Sequence, residues 1–187
     1  MGSLEVDLTS FGADKLRAAV LTALEGAGGG GLPSADRLRK GAAATLESSD
    51  DEVSTYFVSM LEIGYLIASA DGFAEEERHA LATLLEQVTG KAVSHDALEL
   101  HFHDLDDAVE MLGRRERLRR AAEDFTGGMG EKEALGFAAV VALADGKLAA
   151  PESDALLELG GHFGLSPEDV SQVIAGVVTR IKAELEN

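Results

Sequence analysis

The sequence predicts an all-α fold: a helical domain with an internal duplication of a helix-Asp-Gly-turn-helix hairpin. Three observations carry this. Apolar residues make up 45% of the 187 positions while aromatics make up 5% and Trp is absent, so Ala and Leu must supply the packing. That composition suits closely packed helices better than a sheet rich in β-branched and aromatic side chains. Apolar positions recur at helical spacing along most of the chain. The same short segment also ends two of these runs, at Ala70-Asp71-Gly72 and at Ala144-Asp145-Gly146.

A first helix, roughly Ala13 to Glu25, places Leu16, Val20, Ala23 and Leu24 on one face. The run Gly26-Ala27-Gly28-Gly29-Gly30-Gly31 cannot hold a regular element and reads as a linker. The expected division is therefore residues 1–32, an N-terminal helix with its Gly-rich linker, and residues 33–187, the main helical domain. A second helix, about Ser34 to Leu46, follows Pro33 and is amphipathic through Leu38, Ala42 and Leu46.

Ser49 and Glu52 have capping-box spacing before a long apolar helix through Tyr56, Phe57, Met60, Leu61, Gly64 and Ile67. Gly72 suits the left-handed close of that helix. The next helix carries Leu81, Leu84, Leu85 and Val88 and stops at Gly90. A middle helix begins near Ser94 and breaks at Gly113, and an Arg-rich segment then runs to Phe125. After a loop at residues 126–130 the first pattern returns from Glu131. Pro151 stands where a helix can begin, and Ser166-Pro167-Glu168 opens the last one.

The internal repeat is specific in register. At an offset of 74, Leu61, Gly64, Ile67, Ala70, Asp71 and Gly72 face Leu135, Ala138, Val141, Ala144, Asp145 and Gly146. Beyond the turn the offset is 75, matching Glu77, Ala80, Leu81 and Leu84 to Glu152, Ala155, Leu156 and Leu159. The extra residue sits in the turn itself. Two such hairpins in one small chain imply a pseudo-twofold core with the turns in related positions.

A formal charge of −18 argues against nucleic acid as a partner, since phosphate binding needs a surplus of Lys and Arg. The same field attracts metal cations and basic partners. The chain has no cysteine, which excludes disulfides, thiolate metal sites and thiol redox chemistry. No signal-peptide pattern opens the sequence, and no apolar run approaches the roughly 18 residues that would span a bilayer. A cytoplasmic location is expected.

Each turn offers an aspartate beside a glycine and a glutamate six or seven residues later: Asp71 with Glu77, and Asp145 with Glu152. Carboxylate oxygens are the ligands that Ca²⁺, Mg²⁺ and Mn²⁺ prefer, with Zn²⁺ ranked behind them. Two carboxylates are too few to enclose an ion. Carbonyls, water, or carboxylates from both hairpins would have to complete the shell. The spacing is not that of an EF-hand. A structural role is equally open, in which the aspartates cap the turns and the glutamates favour helix N-termini.

The segments Leu-Ile-Ala-Ser-Ala-Asp-Gly (66–72) and Val-Val-Ala-Leu-Ala-Asp-Gly-Lys-Leu-Ala-Ala-Pro-Glu (140–152) resemble the tellurite-resistance TerB-like family, over roughly residues 49–185. The resemblance implies a duplicated all-helical fold, a cytoplasmic stress-response setting and acidic residues that bind a metal ion. Those residues map to Asp71, Glu77, Asp145 and Glu152. It also implies an accessory or regulatory role. A protein partner is expected, with a TerC-like membrane protein at the inner face of the membrane as one candidate and self-association left open. Ala149 and Ala150 stand where the first copy begins its acidic Glu75-Glu76-Glu77 run, so two turn sites would bind unequally. Direct tellurite chemistry is not expected, because an acidic surface repels an oxyanion and no thiol is present to reduce it. A metal-free helical interaction scaffold is the alternative function.

The cluster Arg114, Arg115, Arg117, Arg119 and Arg120 is read as pairing with the chain's own carboxylates or lying solvated, with a phosphate or acidic-lipid contact as the other reading. His101 and His103 point about 200° apart on a helix and cannot easily share an ion, although folding could recruit them with His95. His79 follows the acidic run and is a candidate to join its site, whereas His162 reads as structural. No nucleophile elbow, Walker loop or His-Glu-x-x-His helix is present. The chain is not expected to be an enzyme.

Overall fold

The computed structural model describes residues 6–25, 33, 35–46, 52–72, 74–125 and 130–187. Nine α-helices are found among them: α1 (Ala13–Glu25), α2 (Ala35–Leu46), α3 (Glu52–Ala68), α4 (Glu75–Val88), α5 (His95–Leu112), α6 (Arg114–Glu123), α7 (Glu131–Ala142), α8 (Ala150–His162) and α9 (Pro167–Leu185). No helix among the described residues is long and apolar enough to cross a membrane. The Gly26–Gly31 linker, Ser49 of the expected capping box and most of the 126–130 loop lie outside the described residues.

The local signals for helix ends act as expected. The Ser94 hydroxyl accepts the Ala97 amide at 3.2 Å. At α9 the Ser166 hydroxyl accepts the Asp169 amide at 3.1 Å while the Asp169 carboxylate accepts the Ser166 amide at 3.1 Å, satisfying amides that no helical carbonyl reaches. Gly72 and Gly146 take φ of 93° and 95°, a conformation that costs a side chain but not glycine.

Helix α3 is the centre of the molecule. It packs on α2, α6 and α7, and Phe57, Met60, Ile63, Tyr65, Leu66 and Ile67 are all buried. Contact with α7 is close because Gly64 has no side chain: a Cβ there would stand 2.9 Å from the Phe137 ring. On the α4 and α5 side the Tyr65 ring stacks on Phe102 at 4.8 Å. Its hydroxyl donates to Asp106, which also accepts Arg78 at 2.6 Å. Helix α1 buries Leu16, Val20, Ala23 and Leu24 and packs on α9 and α4 within the same continuous core.

The chain is not wholly helical. Val6–Asp7 (β1) pairs antiparallel with Lys147–Leu148 (β2) in the second turn, with Val6 opposite Leu148, and the Leu8 amide donates to the Gly146 carbonyl at 2.6 Å. Two residues per strand are too few to leave a period-two pattern in the sequence. Lys147 and Leu148 occupy the stretch where the second turn is one residue longer than the first.

The arginine cluster is absorbed within the chain. Arg117 pairs with the buried Glu62 at 2.5 Å, Arg119 and Arg120 with Glu116 at 2.8 and 2.9 Å, and Arg115 with Glu158 at 3.3 Å. Arg114 caps the end of α3, donating to the Leu66 carbonyl, to the Ser69 hydroxyl at 2.9 Å and to the Ser69 carbonyl at 2.9 Å. A guanidinium supplies several donors in one plane and so serves several helix-end carbonyls at once.

Candidate functional site

Helices α3 and α7 end side by side, and α4 and α8 begin where they end. The two turns consequently open on one cavity of about 290 Å³, lined by Asp71, Glu76, Glu77, Asp145 and Glu152 among others. The four sequence-predicted acids, 81 residues apart at the extremes, share this cavity. Two separate turn sites were expected, and the structure instead gives the two turns one shared cavity whose acids differ in exposure. Glu152 is buried, 5% exposed, whereas Asp71, Glu77 and Asp145 keep accessible surface.

The glutamates hold matching local positions. Glu77 accepts the Ala74 amide at 2.9 Å and Glu152 accepts the Ala149 amide at 2.8 Å, each from the third residue of its helix back to the N-cap. Asp145 accepts the Lys147 amide at 3.0 Å, closing its turn. The capping role weighed from the sequence is therefore present at these three residues. It does not exhaust them, because a carboxylate has two oxygens and accepts several bonds.

Electrostatics distinguish the cavity from ordinary capping. Burial, followed by the charges of Asp145, Asp71 and Glu77, pushes the Glu152 carboxyl up to about 8, against the lowering effect of the Ala149 amide. Asp145 is also raised, first by partial desolvation at the cavity wall and then by Glu77 and Asp71. Clustered carboxylates resist ionising together, and a cation placed among them removes that penalty. One basic residue, Arg17 of α1, also lines the wall. Nothing near Arg17 in the sequence signals this, since α1 reaches the cavity by packing on α4 and on the second turn.

The donor set fits a hard cation: all four candidates are carboxylates, and none is a thiol or imidazole. They do not converge on a point. Among the described residues, the one group of three potential ligands whose atoms all lie within 4.8 Å of one another is His79, His95 and Glu99. An ion in the acidic cavity would thus keep water in its shell.

Among the histidines, His79 falls elsewhere than expected. His79 does not join the acidic cavity but faces α5, its ring 4.2 Å from that of His95. His101 is partly buried, and desolvation lowers its pKa. His103 lies 3.2 Å from an Arg78 nitrogen, and His162 lies 3.7 Å from Glu158.

A family model described as tellurite resistance protein TerB matches residues 58–175, more than half of the chain. The chain belongs to the TerB family. The match spans α3 from its second turn through the first half of α9, and so includes both turns and all four acids of the cavity. Helices α1 and α2 precede the TerB match, so Arg17 is contributed from outside it. No curated protein and no solved structure matches the chain.

Proposed function

We propose that this TerB-family protein binds a hydrated hard divalent cation, Ca²⁺, Mg²⁺ or Mn²⁺, through Asp71, Glu77, Asp145 and Glu152, and acts as a non-enzymatic regulatory module in a tellurite-resistance-like stress system. The observation that carries this is the convergence of four carboxylates from two turns on one cavity. Their mutual repulsion is a cost to the empty site that a cation offsets. Similar construction of the turns, with Gly at positive φ and a glutamate returning to each N-cap, supports a duplicated hairpin as the origin of the site. TerB is not a known enzymatic family, which accords with an accessory role at a protein partner, a TerC-like membrane protein at the cytoplasmic face being the candidate.

Calorimetric titration with Ca²⁺, Mg²⁺ and Mn²⁺ tests the reading. Wild type is expected to take up an ion that the Asp71→Asn/Asp145→Asn variant does not. No uptake by wild type, or equal uptake by the variant, overturns it.

One observation favours the metal-free scaffold as a second reading. Leu100 is 65% and Met111 83% exposed on α5, and eleven residues at 100° per residue bring them to within about 20° on one face. Exposed apolar side chains aligned in this way suit a protein contact. If the face mediates self-association, light scattering over a concentration series will show a larger species that Met111→Lys removes.

A further inference from the structure

We infer that His79, His95 and Glu99 form a second metal site, of different chemistry from the acidic cavity, that takes a borderline divalent ion of the zinc class. The ligands come from two helices. His95 and Glu99 are one turn apart at the start of α5, and His79 lies in the first half of α4. The start of α5 is firmly held: the His95 amide donates to the Glu86 carboxylate of α4 at 2.6 Å, and Ser94 caps the same turn. Helix packing thus sets the three side chains, although 16 residues separate the two histidines.

The gaps from the two rings to Glu99 are those of ligands around an ion and not of hydrogen bonds, while His95 Nε2 rests 3.3 Å from the His79 carbonyl oxygen, a contact that an ion would replace. His79 Nδ1 stands 3.6 Å and His95 Nε2 3.9 Å from the same Glu99 oxygen, too far for hydrogen bonds. Two ligands of a tetrahedral zinc ion, each about 2.1 Å from the metal, stand roughly 3.4 Å apart. The two gaps to Glu99 need to close by only a few tenths of an ångström to meet that geometry, and all three ligand atoms lie within 4.8 Å of one another. His79 is well exposed, with 67% of its side chain accessible, so it has room to make the adjustment and an ion has a path in.

The donor set decides the class of metal. Two imidazoles and a carboxylate suit Zn²⁺, Co²⁺ or Ni²⁺, whereas Ca²⁺ and Mg²⁺ take oxygen ligands. Three protein ligands leave a fourth position for water or for a donor from a partner, as in sites where zinc exchanges or reacts. The site also shares α4 with the acidic cavity. Glu77 and His79 are two residues apart, about 200° around the helix, so an ion at His79 fastens to α5 the same turn that carries Glu77.

The test is titration of the full chain with Zn²⁺ by calorimetry and with Co²⁺ by visible absorption, on wild type, His79→Gln, Glu99→Gln and Asp71→Asn/Asp145→Asn. Wild type is expected to bind one Zn²⁺ with nitrogen-ligand Co²⁺ bands. Either single variant should lose about 100-fold in Zn²⁺ affinity, a ligand counting for at least as much as the groups that orient it, while the double aspartate variant stays within about twofold. Circular dichroism checks that each variant is folded, and the two single variants serve as independent tests. Absence of Zn²⁺ uptake by wild type, wild-type affinity in both single variants, or loss of Zn²⁺ binding in the double aspartate variant overturns the site. Because the Ca²⁺, Mg²⁺ and Mn²⁺ titrations address different residues, either site can fail without the other.

Discussion

Glu152 lies buried in the same cavity wall as Asp145, and the charge of Asp145 helps to hold a proton on Glu152 at neutral pH. This pairing joins the second turn to the helix that follows it. It makes the acidic cavity sensitive to pH across the physiological range.

The first prediction concerns stability. The Glu152 carboxyl titrates near 8 when folded, against an ordinary value of 4.5. Between these limits the folded chain holds a proton that the unfolded chain has lost. Proton binding then favours folding, so this contribution is fully present below about 4.5, declines as pH rises and is gone above about 8. In metal-free buffer the Tm of wild type should fall from pH 5 to pH 8.5, and Glu152→Gln should flatten that slope. An unchanged slope in the variant would remove Glu152 as its source.

Cation binding should be linked to the same proton. An ion that engages the Glu152 carboxylate displaces its hydrogen, so uptake at pH 7 should release about one proton per ion and affinity should rise with pH until release stops near pH 9. Titrations in buffers of different ionisation enthalpy measure the release directly. Buffer-independent heats at pH 7 would place the ion away from Glu152.

Gly64→Ala tests the contact that brings the two turns together. The added methyl meets the buried Phe137 ring at 2.9 Å, and overpacking of this kind typically costs about 1–3 kcal/mol. Urea unfolding should show that loss, with partial recovery in Gly64→Ala/Phe137→Leu. A neutral Gly64→Ala would mean that α3 and α7 can separate without penalty.

Arg114→Met should destabilise by about 1–3 kcal/mol, because it leaves the Leu66 and Ser69 carbonyls without their guanidinium donors at the end of α3. Arg114→Lys should recover only part of this, since one ammonium cannot reproduce the planar fork. Equal stability of the Met variant and wild type in chemical denaturation would rule out the cap.

Much of the helical framework was legible in the sequence because it is decided within one or two turns of chain. Leu16, Val20, Ala23 and Leu24 mark α1, Ser94 and Ser166 mark helix starts, and Gly72 and Gly146 mark left-handed closes. Each signal depends on neighbours three or four residues away. The four acids were legible as candidates for the same reason, since each turn repeats the same local chemistry.

What the sequence by itself determined, then, is the set of helices and the residue types at their ends. Tertiary structure alone decided that Asp71 and Asp145 open on one cavity, that Arg17 reaches its wall, and that His79 turns to His95 and Glu99 rather than to Glu77. These relationships depend on how α3 meets α7 at Gly64 and how α4 meets α5 beneath Tyr65 and Phe102. Contacts between segments far apart in the chain arise from side-chain packing in three dimensions, and no periodicity along the chain encodes them.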